Sequence, residues 1–271
     1  MANFLKKVII ITGASEGIGR ALALELAPQK PILILAARNE PRLKDTVSEC
    51  ERAGAITCAV STDITVEEEC QRLIQYAVER FGGIDILVNN AGMSMWTRFE
   101  EVSDLSIFEQ LMKVNYIGSV YCTKYALPYL KNSKGRVVAI SSVAGLTGVP
   151  TRTGYAASKH AMIGFFESLR IELAESGVTV TIIAPDYVQS KIHERSFGAD
   201  GKAIGKNPSN QESFITAEAC AGMIVKALGK RQRLLLTSWR GYFGRFIRTI
   251  APHVIDRIAK QAVENEESKK G

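Results

Sequence analysis

The chain begins with an apolar run that leads directly into a turn rich in glycine. Val8 to Ile11 has the β-branched composition of a strand buried on both faces of a parallel sheet, and a helical pattern follows from near Arg20. The glycines between them, from Thr12 to Gly19, permit positive φ and a close approach of a ligand to the backbone. The helix that follows offers free N–H groups and a partial positive charge. This order predicts a phosphate-binding turn, although its spacing is G-x-x-x-G-x-G and not G-x-G-x-x-G.

Apolar β-branched runs alternate with amphipathic helical stretches along the rest of the chain. Within the helical stretches apolar residues recur on one face, as at Leu43, Val47 and Cys50. This alternation predicts an α/β fold, a single Rossmann-like, doubly wound parallel sheet of about seven strands with helices on both faces. A chain of 271 residues can form one domain over its whole length, residues 1–271. The predicted strands are Val8–Ile11, Ile32–Leu35, Ile56–Val60, Ile86–Val88, Val137–Ile140, Val178–Ile183 and Leu234–Leu236.

The sequence from Tyr155 to Lys159 places a phenol and an ammonium one helical turn apart on the same face. A phenol with a pKa of about 10 is a poor proton donor or acceptor at neutral pH. A fixed cation nearby favours the phenolate and is expected to lower the pKa of Tyr155 toward the working range. The pair is therefore a candidate acid/base centre. The plain alternative is one packed ring and one solvated amine.

These two motifs, together with the segment 89–92 (Asn-Asn-Ala-Gly) and Ser142, make the chain resemble the short-chain dehydrogenase/reductase family from about residue 6 to 190. The resemblance implies that Tyr155 is the general acid/base, and that Lys159 lowers its pKa and holds the nicotinamide ribose. Ser142, thirteen residues before Tyr155, would hydrogen-bond the substrate oxygen. Asn115 falls where the family has a fourth catalytic residue, which anchors a water-mediated proton path to the lysine.

Two of these catalytic assignments have a plain alternative. Ser141 lies beside Ser142, and hydroxyl groups are frequent at strand ends without any catalytic role. The spacing to the tyrosine favours Ser142 over its neighbour. Asn115 can instead satisfy a neighbouring backbone carbonyl within a helix.

The end of the second predicted strand indicates which nicotinamide cofactor is bound. An acidic residue there would bind the ribose hydroxyls of NAD and repel a 2′-phosphate, whereas this chain has Ala37 followed by Arg38. NADP(H) is therefore expected, with NAD(H) as the alternative. Ser15 can donate to the same phosphate, but Glu16 stands where many NADP-preferring relatives carry Lys or Arg.

The resemblance implies further cofactor contacts. Asp63 matches the family's adenine-contacting aspartate, although it can also be an N-cap of the acidic helix that follows from Val66. The segment 185–190 resembles the family's P-G-x-V-x-T stretch at the nicotinamide, with Asp186 replacing Gly and Ser190 replacing Thr. The implied cofactor-binding residues are Gly13, Ser15, Glu16, Gly17, Ile18, Gly19, Arg38, Asp63, Ile64, Asn90, Ala91, Gly92, Tyr155, Lys159, Pro185, Val188 and Ser190.

The positive charge of the chain is concentrated near its C-terminus. Between Lys230 and Lys260 there are eight Lys or Arg and one acidic residue, while the whole chain carries a formal charge of +6. Apolar and aromatic residues recur there at helical spacing, interrupted at Pro252. This segment, 237–265, is expected to lie on an anionic membrane surface, to line an apolar substrate site, or to form a cap or subunit interface. With a predicted substrate loop over 191–215, it loosely resembles the branch containing 11β-hydroxysteroid dehydrogenases and related microsomal reductases.

The composition argues against several other classes of function. The five cysteines are odd in number and form no C-x-x-C pair, so we expect reduced core residues, and no metal is required. No nucleic-acid-binding motif accompanies the basic segment. With no signal peptide and no apolar run of membrane-spanning length, a cytoplasmic location is expected, with peripheral membrane contact as an option. A homodimer or homotetramer is the expected assembly.

The residues and the resemblance together predict an NADP(H)-dependent oxidoreductase. It would transfer hydride between the nicotinamide and an apolar ketone or secondary alcohol, such as a steroid, a keto-lipid or a xenobiotic. Two alternatives stay open, an NAD-preferring alcohol dehydrogenase and a non-catalytic nucleotide-binding regulator on the same fold. The presence of Ser142, Tyr155 and Lys159 together argues against the regulator.

Overall fold

The structure, a computed structural model, describes residues 3–205 and 214–268. Its strands form one parallel sheet in the order β3-β2-β1-β4-β5-β6-β7, which confirms the predicted fold class. The strands lie within two residues of their predicted bounds: β1 Val8–Thr12, β2 Ile32–Ala37, β3 Ile56–Ser61, β4 Ile86–Asn89, β5 Arg136–Ile140, β6 Thr179–Ala184 and β7 Leu234–Leu236. The helices are α1 Gly17–Leu26, α2 Glu40–Arg52, α3 Glu67–Phe81, α4 Ser106–Met112, α5 Gly118–Ser133, α6 Thr153–Glu172, α7 Ala217–Gly229, α8 Trp239–Ile250 and α9 Pro252–Ser268.

Helices cover both faces of the sheet, which explains why its central strands are apolar without interruption. In β1, Ile9 and Ile11 point into a core formed with α1, α2 and α7. Ile10, between them, points into a second core formed with α3, α5 and α6. Both faces of the strand therefore exclude water, as expected for a doubly wound parallel sheet.

The strand order reverses between β1 and β4, and hydrogen bonds join the ends of these two strands. The Thr12 hydroxyl donates to the carbonyl of Val88 (3.3 Å) and accepts from the backbone N–H groups of Asn90 and Ala91 (3.0 and 3.1 Å). The Asn90 amide donates to the carbonyls of Thr12 and Gly13 (2.9 and 3.1 Å). In open α/β sheets, ligands bind outside the strand ends at such a reversal, so these contacts position the predicted glycine turn.

The glycine turn depends on a close approach of two backbone segments. Gly13 has φ +66°, and a Cβ at this position would lie 2.7 Å from the Cα of Ala91. A residue with a side chain would therefore push the turn away from the end of β4. Helix α1 begins at Gly17, three residues before the predicted start near Arg20, because glycines of the turn form its first helical residues.

Two segments after β6 complete the described chain. The predicted substrate loop, 191–215, packs through a bridge between Phe197 and Met95, but its residues 206–213 lie outside the described residues. The basic C-terminal segment forms α8 and α9, and the break between them falls at Pro252 as predicted. None of the described helices combines the length and apolar character needed to cross a membrane. All five cysteines are buried and free.

Candidate active site

A cavity of about 630 Å³ opens at the carboxyl ends of the strands. The glycine turn, with Gly13, Ser15 and Gly17, lines one end, and Tyr155 and Lys159 on α6 line the other. Nearly all predicted site residues reach this cavity: Gly13, Ser15, Glu16, Gly17, Ile18, Arg38, Asp63, Ile64, Asn90, Ala91, Gly92, Ser142, Tyr155, Lys159, Pro185, Val188 and Ser190. The two exceptions, Gly19 and Asn115, lie directly behind its wall, Gly19 against Asn90 and Asn115 against Gly92.

Lys159 is a buried ammonium with no carboxylate partner among the described residues. Only 3% of the residue is exposed. Its Nζ donates to the carbonyl of Ile140 at the end of β5 (2.9 Å) and lies 3.9 Å from the Met162 sulfur. The same atom is 5.8 Å from the centre of the Tyr155 ring. Burial lowers the pKa of Lys159 to about 8, so the amine still carries its charge through most of the neutral range.

The pKa of Tyr155 differs from the sequence-based expectation. Burial raises it above its ordinary value, while a hydrogen bond with Ser142 and the charge of Arg152 act in the opposite direction. The expected lowering of this pKa was wrong, because desolvation of the phenolate outweighs these two favourable contacts. The phenol is therefore protonated at neutral pH.

The two neighbouring serines at the end of β5 have different environments. Ser142 is at the cavity, where it contacts Tyr155 and accepts a hydrogen bond from the N–H of Ala144 (3.1 Å). Ser141 is buried, and its hydroxyl donates to the backbone carbonyl of Lys159 (3.2 Å). Ser141 therefore fixes the backbone of α6 to the sheet, and Ser142 offers its oxygen beside the tyrosine.

Asn115 lies in a π-helical turn, Lys113–Ile117, between α4 and α5. Its Oδ1 accepts from the N–H of Met93 (2.7 Å), and its Nδ2 donates to the carbonyl of Met93 (2.9 Å) and to the Ser158 hydroxyl (2.8 Å). A Cβ on Gly92 would lie 3.2 Å from Asn115 Oδ1 and 3.5 Å from Lys159 Nζ. Asn115 thus hydrogen-bonds neighbouring backbone groups, which was the alternative to a catalytic role. It also lies beside Lys159.

The glycine turn offers the backbone groups that a pyrophosphate requires. Helix α1 starts at Gly17 with no side-chain cap on Glu16, so its first N–H groups have no side-chain acceptor from this residue. Gly17 has φ +55°, and the Ser190 side chain lies 3.4 Å from the position of a Cβ there. The turn and the segment after β6 therefore lie against each other where both line the cavity.

Charged residues at the adenosine end of the cavity are paired. Arg38 Nη1 lies 3.6 Å from Asp63 Oδ2, a long contact between partly exposed side chains. Burial acts to raise the pKa of Asp63, but hydrogen bonds from Thr65 and the charge of Arg38 outweigh it, so this pKa is lowered. Asp63 is not the N-cap of α3, because Val66 occupies that position and Asp63 instead accepts from the Thr65 N–H (2.9 Å).

Glu16 is held between two arginines. Its carboxylate accepts from Arg42 Nη1 (3.1 Å) on α2 and from Arg195 in the loop after β6. The acidic charge that departs from the pattern of NADP-preferring relatives is therefore balanced by two cations. The Arg195 contact also connects the loop after β6 to the glycine turn.

Asp186 fixes the start of the C-terminal segment beside the site. Its carboxylate accepts from the Ser238 hydroxyl (2.8 Å), and Ser238 is the N-cap of α8. Its backbone N–H donates to the Thr237 hydroxyl (3.0 Å). None of the described residues of α8 or α9 is among those that line the cavity, although a Cβ on Gly241 of α8 would lie 3.4 Å from Val143, which does line it. The segment begins at the rim of the cavity.

Sequence reasoning missed Arg152 and His193, which both line the cavity. Arg152 is 7% exposed, and its guanidinium lies 3.9 Å from the centre of the Trp96 ring and 5.4 Å from that of Tyr187. Burial, and then the charge of Arg152, lowers the pKa of His193 to about 4, while a hydrogen bond with the Val188 backbone opposes the shift. The one available signal was the position of Arg152, three residues before the tyrosine.

Known proteins are similar to this chain in sequence and in fold. A family profile described as short chain dehydrogenase matches residues 7–200. An 11-beta-hydroxysteroid dehydrogenase-like 4A of Arabidopsis thaliana is 44% identical over 223 residues, which is 82% of this chain and 73% of that protein. A dehydrogenase/reductase SDR family protein 7-like of Dictyostelium discoideum is 33% identical over 261 residues, covering 94% and 81%.

Two solved structures extend the comparison to bound cofactors. A short chain dehydrogenase/reductase from Burkholderia phymatum in complex with NAD has a TM-score of 0.83 at 27% identity, over 94% of this chain and 96% of that one. An alcohol dehydrogenase from the archaeon Thermococcus sibiricus, complexed with 5-hydroxy-NADP, has a TM-score of 0.73 at 28% identity, over 85% and 95%. The chain therefore belongs to the short-chain dehydrogenase/reductase family, whose members act on hydroxyl or carbonyl groups with a nicotinamide cofactor.

Proposed function

We propose that this protein is an NADP(H)-dependent reductase that converts a ketone with a largely apolar body into a secondary alcohol. One observation carries the proposal. The buried Tyr155 lies beside Ser142, and Lys159 Nζ is 5.8 Å from the centre of its ring, in a cavity whose other end is the glycine turn. A proton donor, an oxyanion site and a nucleotide site are thus joined in one space.

Each of the catalytic residues has a distinct role in this proposal. Ser142 and Tyr155 bind the carbonyl oxygen, and Tyr155 gives it a proton as negative charge develops there. The Lys159 ammonium stabilises the phenolate that is left and binds the ribose, while Asn115 supports the proton path to the lysine. A bound nicotinamide cofactor supplies the hydride. Because burial keeps the phenol protonated at neutral pH, Tyr155 has a proton to give to the carbonyl oxygen.

The preference for NADP(H) is inferred from the end of β2. Ala37 provides no carboxylate to bind two ribose hydroxyls, and the next residue, Arg38, is a cation with a 63% exposed side chain that can reach a 2′-phosphate. Glu16, which would repel that phosphate, is paired with Arg42 and Arg195. The charge balance at this end of the cavity is therefore favourable for an additional phosphate.

Apolar walls near Tyr155 support a substrate with an apolar body. Met93, Val143, Val149 and Ile192 line this part of the cavity. Burial of hydrocarbon against such walls contributes roughly 25 cal/mol per Å². The proposed substrates are consistent with the steroid dehydrogenase names of the Arabidopsis relatives.

We also propose that α8 contacts an anionic membrane surface. Large apolar side chains on this helix face outward, with Trp239 75% exposed and Phe246 63% exposed. The segment around them carries a large excess of Lys and Arg. An amphipathic helix with exposed aromatic residues and nearby cations has the chemistry that binds anionic lipid headgroups. The competing use of this face is contact with a second copy of the chain in a homodimer or homotetramer.

Replacing Tyr155 with Phe is expected to lower kcat for ketone reduction by several orders of magnitude, because it removes only the proton donor. NADPH binding, measured by fluorescence titration, should stay within about threefold of wild type. Tyr125→Phe is a matched control, since the Tyr125 hydroxyl is exposed and donates to Glu67 far from the cavity. A Tyr155→Phe variant with a tenth of wild-type activity would contradict the mechanism. A wild-type protein that binds NADPH and reduces no ketone in a broad panel would instead match the regulator.

The double change Ala37→Asp and Arg38→Leu is expected to shift preference toward NADH. It adds a carboxylate for the ribose hydroxyls and removes the cation for the phosphate, so the ratio of kcat/KM for the two cofactors should change by ten- to a thousand-fold, roughly 1.5 to 4 kcal/mol. Steady-state kinetics with both cofactors measure this ratio. A wild-type protein that already prefers NADH would contradict the NADP(H) proposal.

Binding to vesicles tests the proposed membrane surface. We expect the protein to sediment with vesicles containing phosphatidylserine and not with phosphatidylcholine alone, and expect added salt to weaken this binding. The double change Phe243→Ser and Phe246→Ser should weaken it further, whereas Ile171→Ser, an exposed apolar residue on α6, should not. Absence of binding at low salt, together with loss of a dimer or tetramer in the double variant, would assign the face to subunit contact.

A further inference from the structure

Arg152 is a buried cation that the proposed mechanism does not use. It lies at the N-cap position of α6, immediately before the helical turn that carries Tyr155, and 93% of it is removed from solvent. Its Nη2 is buried and has no hydrogen-bond partner. Within the described ranges 3–205 and 214–268, no carboxylate forms an ion pair with it. Arg152 is thus a charged side chain at the catalytic end of the cavity with no acidic partner among the described residues.

Aromatic rings hold this guanidinium in place. Trp96 and Tyr187 lie 3.9 and 5.4 Å from its central carbon, and the His193 ring lies 6.2 Å from both of those rings. We call Trp96, Arg152, Tyr187 and His193 the Arg152 cluster. Stacking on an aromatic face stabilises a guanidinium and leaves the N–H groups at its edge free to bind a planar anion with two hydrogen bonds. The cluster therefore fixes the orientation of the guanidinium in the wall of the cavity.

The carboxylates that line the cavity are already engaged elsewhere. Glu16 pairs with two other arginines, Asp63 contacts Arg38, and Asp186 accepts from Ser238. The phosphates of a dinucleotide belong at the glycine turn, at the opposite end of the cavity from the tyrosine. The cavity wall thus leaves no free carboxylate for Arg152, and an anionic group on the substrate would supply the partner that buried charges generally have.

We propose that Arg152 binds an anionic group, of the carboxylate class, on the substrate whose carbonyl is reduced at Tyr155. This inference rests on the proposed function and narrows its substrate class to keto acids with an apolar body. His193 lines the same space as a neutral imidazole, so Arg152 is the group there that can pair with the anion. Arg152 is thus a specificity residue for this reaction.

Kinetics with matched pairs of substrates test the proposal. The probes are 3-oxobutanoate, 4-oxopentanoate and 5-oxohexanoate, each compared with its neutral primary amide at saturating NADPH. For at least one chain length, wild type should prefer the acid by roughly ten- to a hundred-fold in kcat/KM. Arg152→Met should abolish that preference, and Arg152→Lys should keep part of it because it retains the charge without the planar fork. Arg136→Met is the control, since Arg136 also stacks on a ring, that of Phe4, but does not line the cavity.

A binding measurement separates this site from catalysis. The chain has two tryptophans, Trp96 in the cluster and Trp239 on α8, so a Trp239→Phe protein reports on Trp96 alone. With this protein saturated by NADP⁺, hexanoate should change the Trp96 emission in a saturable manner, while hexanamide should not. Adding Arg152→Met should remove the hexanoate response.

The outcomes distinguish the anion site from the proposed function. If Arg152→Met lowers kcat/KM equally for acid and amide, Arg152 acts through the tyrosine or the fold, and the proposal is overturned. If wild type reduces neutral ketones but shows no preference for acids, the proposal is also overturned while the reductase function stands. If wild type reduces none of the probes, the reductase function fails for this substrate class. The response of Trp96 to hexanoate then decides the anion site independently.

Discussion

The burial of one charged amine, Lys159, is the constraint on which the rest of the site depends. The carbonyl of Ile140, at the end of β5, accepts the hydrogen bond of the Lys159 ammonium, and α6 places this lysine one turn after Tyr155. Gly92, which has no side chain, lies against both Lys159 and Asn115. A side chain at position 92 would displace one of these groups. The ordinary pKa of a lysine is 10.5, and that of Lys159 is about 8. This difference lowers the free energy of unfolding at neutral pH by roughly 3 kcal/mol. The two packed cores must supply this free energy.

A second unpaired cation, Arg152, makes the catalytic end of the cavity strongly electropositive. Both cations lie near Tyr155, and both are more than nine-tenths buried. The effect of Arg152 on the pKa of the tyrosine is opposed by burial, which keeps the phenol protonated. A site of this kind stabilises negative charge that develops on a bound carbonyl oxygen, because its dipoles and charges are already oriented before the reaction. The adenosine end is different, since its arginines are paired with Glu16 and Asp63.

The strands and the glycine turn could be predicted because their signals are local. Apolar β-branched runs define strands buried on both faces, and the spacing of glycines defines the turn. Arg152 could not be found in this manner, because its burial results from Trp96 and Tyr187, which are distant in the sequence. The pKa of Tyr155 was predicted in the wrong direction for a similar reason. The helical period gives the neighbouring lysine, but only the packed structure gives the desolvation. The start of α8 beside the cavity also depends on a tertiary contact, the hydrogen bond from Ser238 to Asp186.

The pH dependence of unfolding tests most directly whether Lys159 is a buried, unpaired charge. Because its pKa is about 8 in the folded protein and 10.5 ordinarily, the folded state binds fewer protons than the unfolded state between these values. Wild-type stability should therefore rise with pH across that window relative to Lys159→Met. At pH 7 the free energy of unfolding in urea should be about 1 to 3 kcal/mol higher for the variant. This net gain already allows for about 1 kcal/mol lost with the Ile140 hydrogen bond. The gain should disappear by pH 10. Lys131→Met, an exposed change on α5, should show neither effect. A Lys159→Met protein that is less stable than wild type at pH 7, or a difference that does not change with pH, would contradict the account.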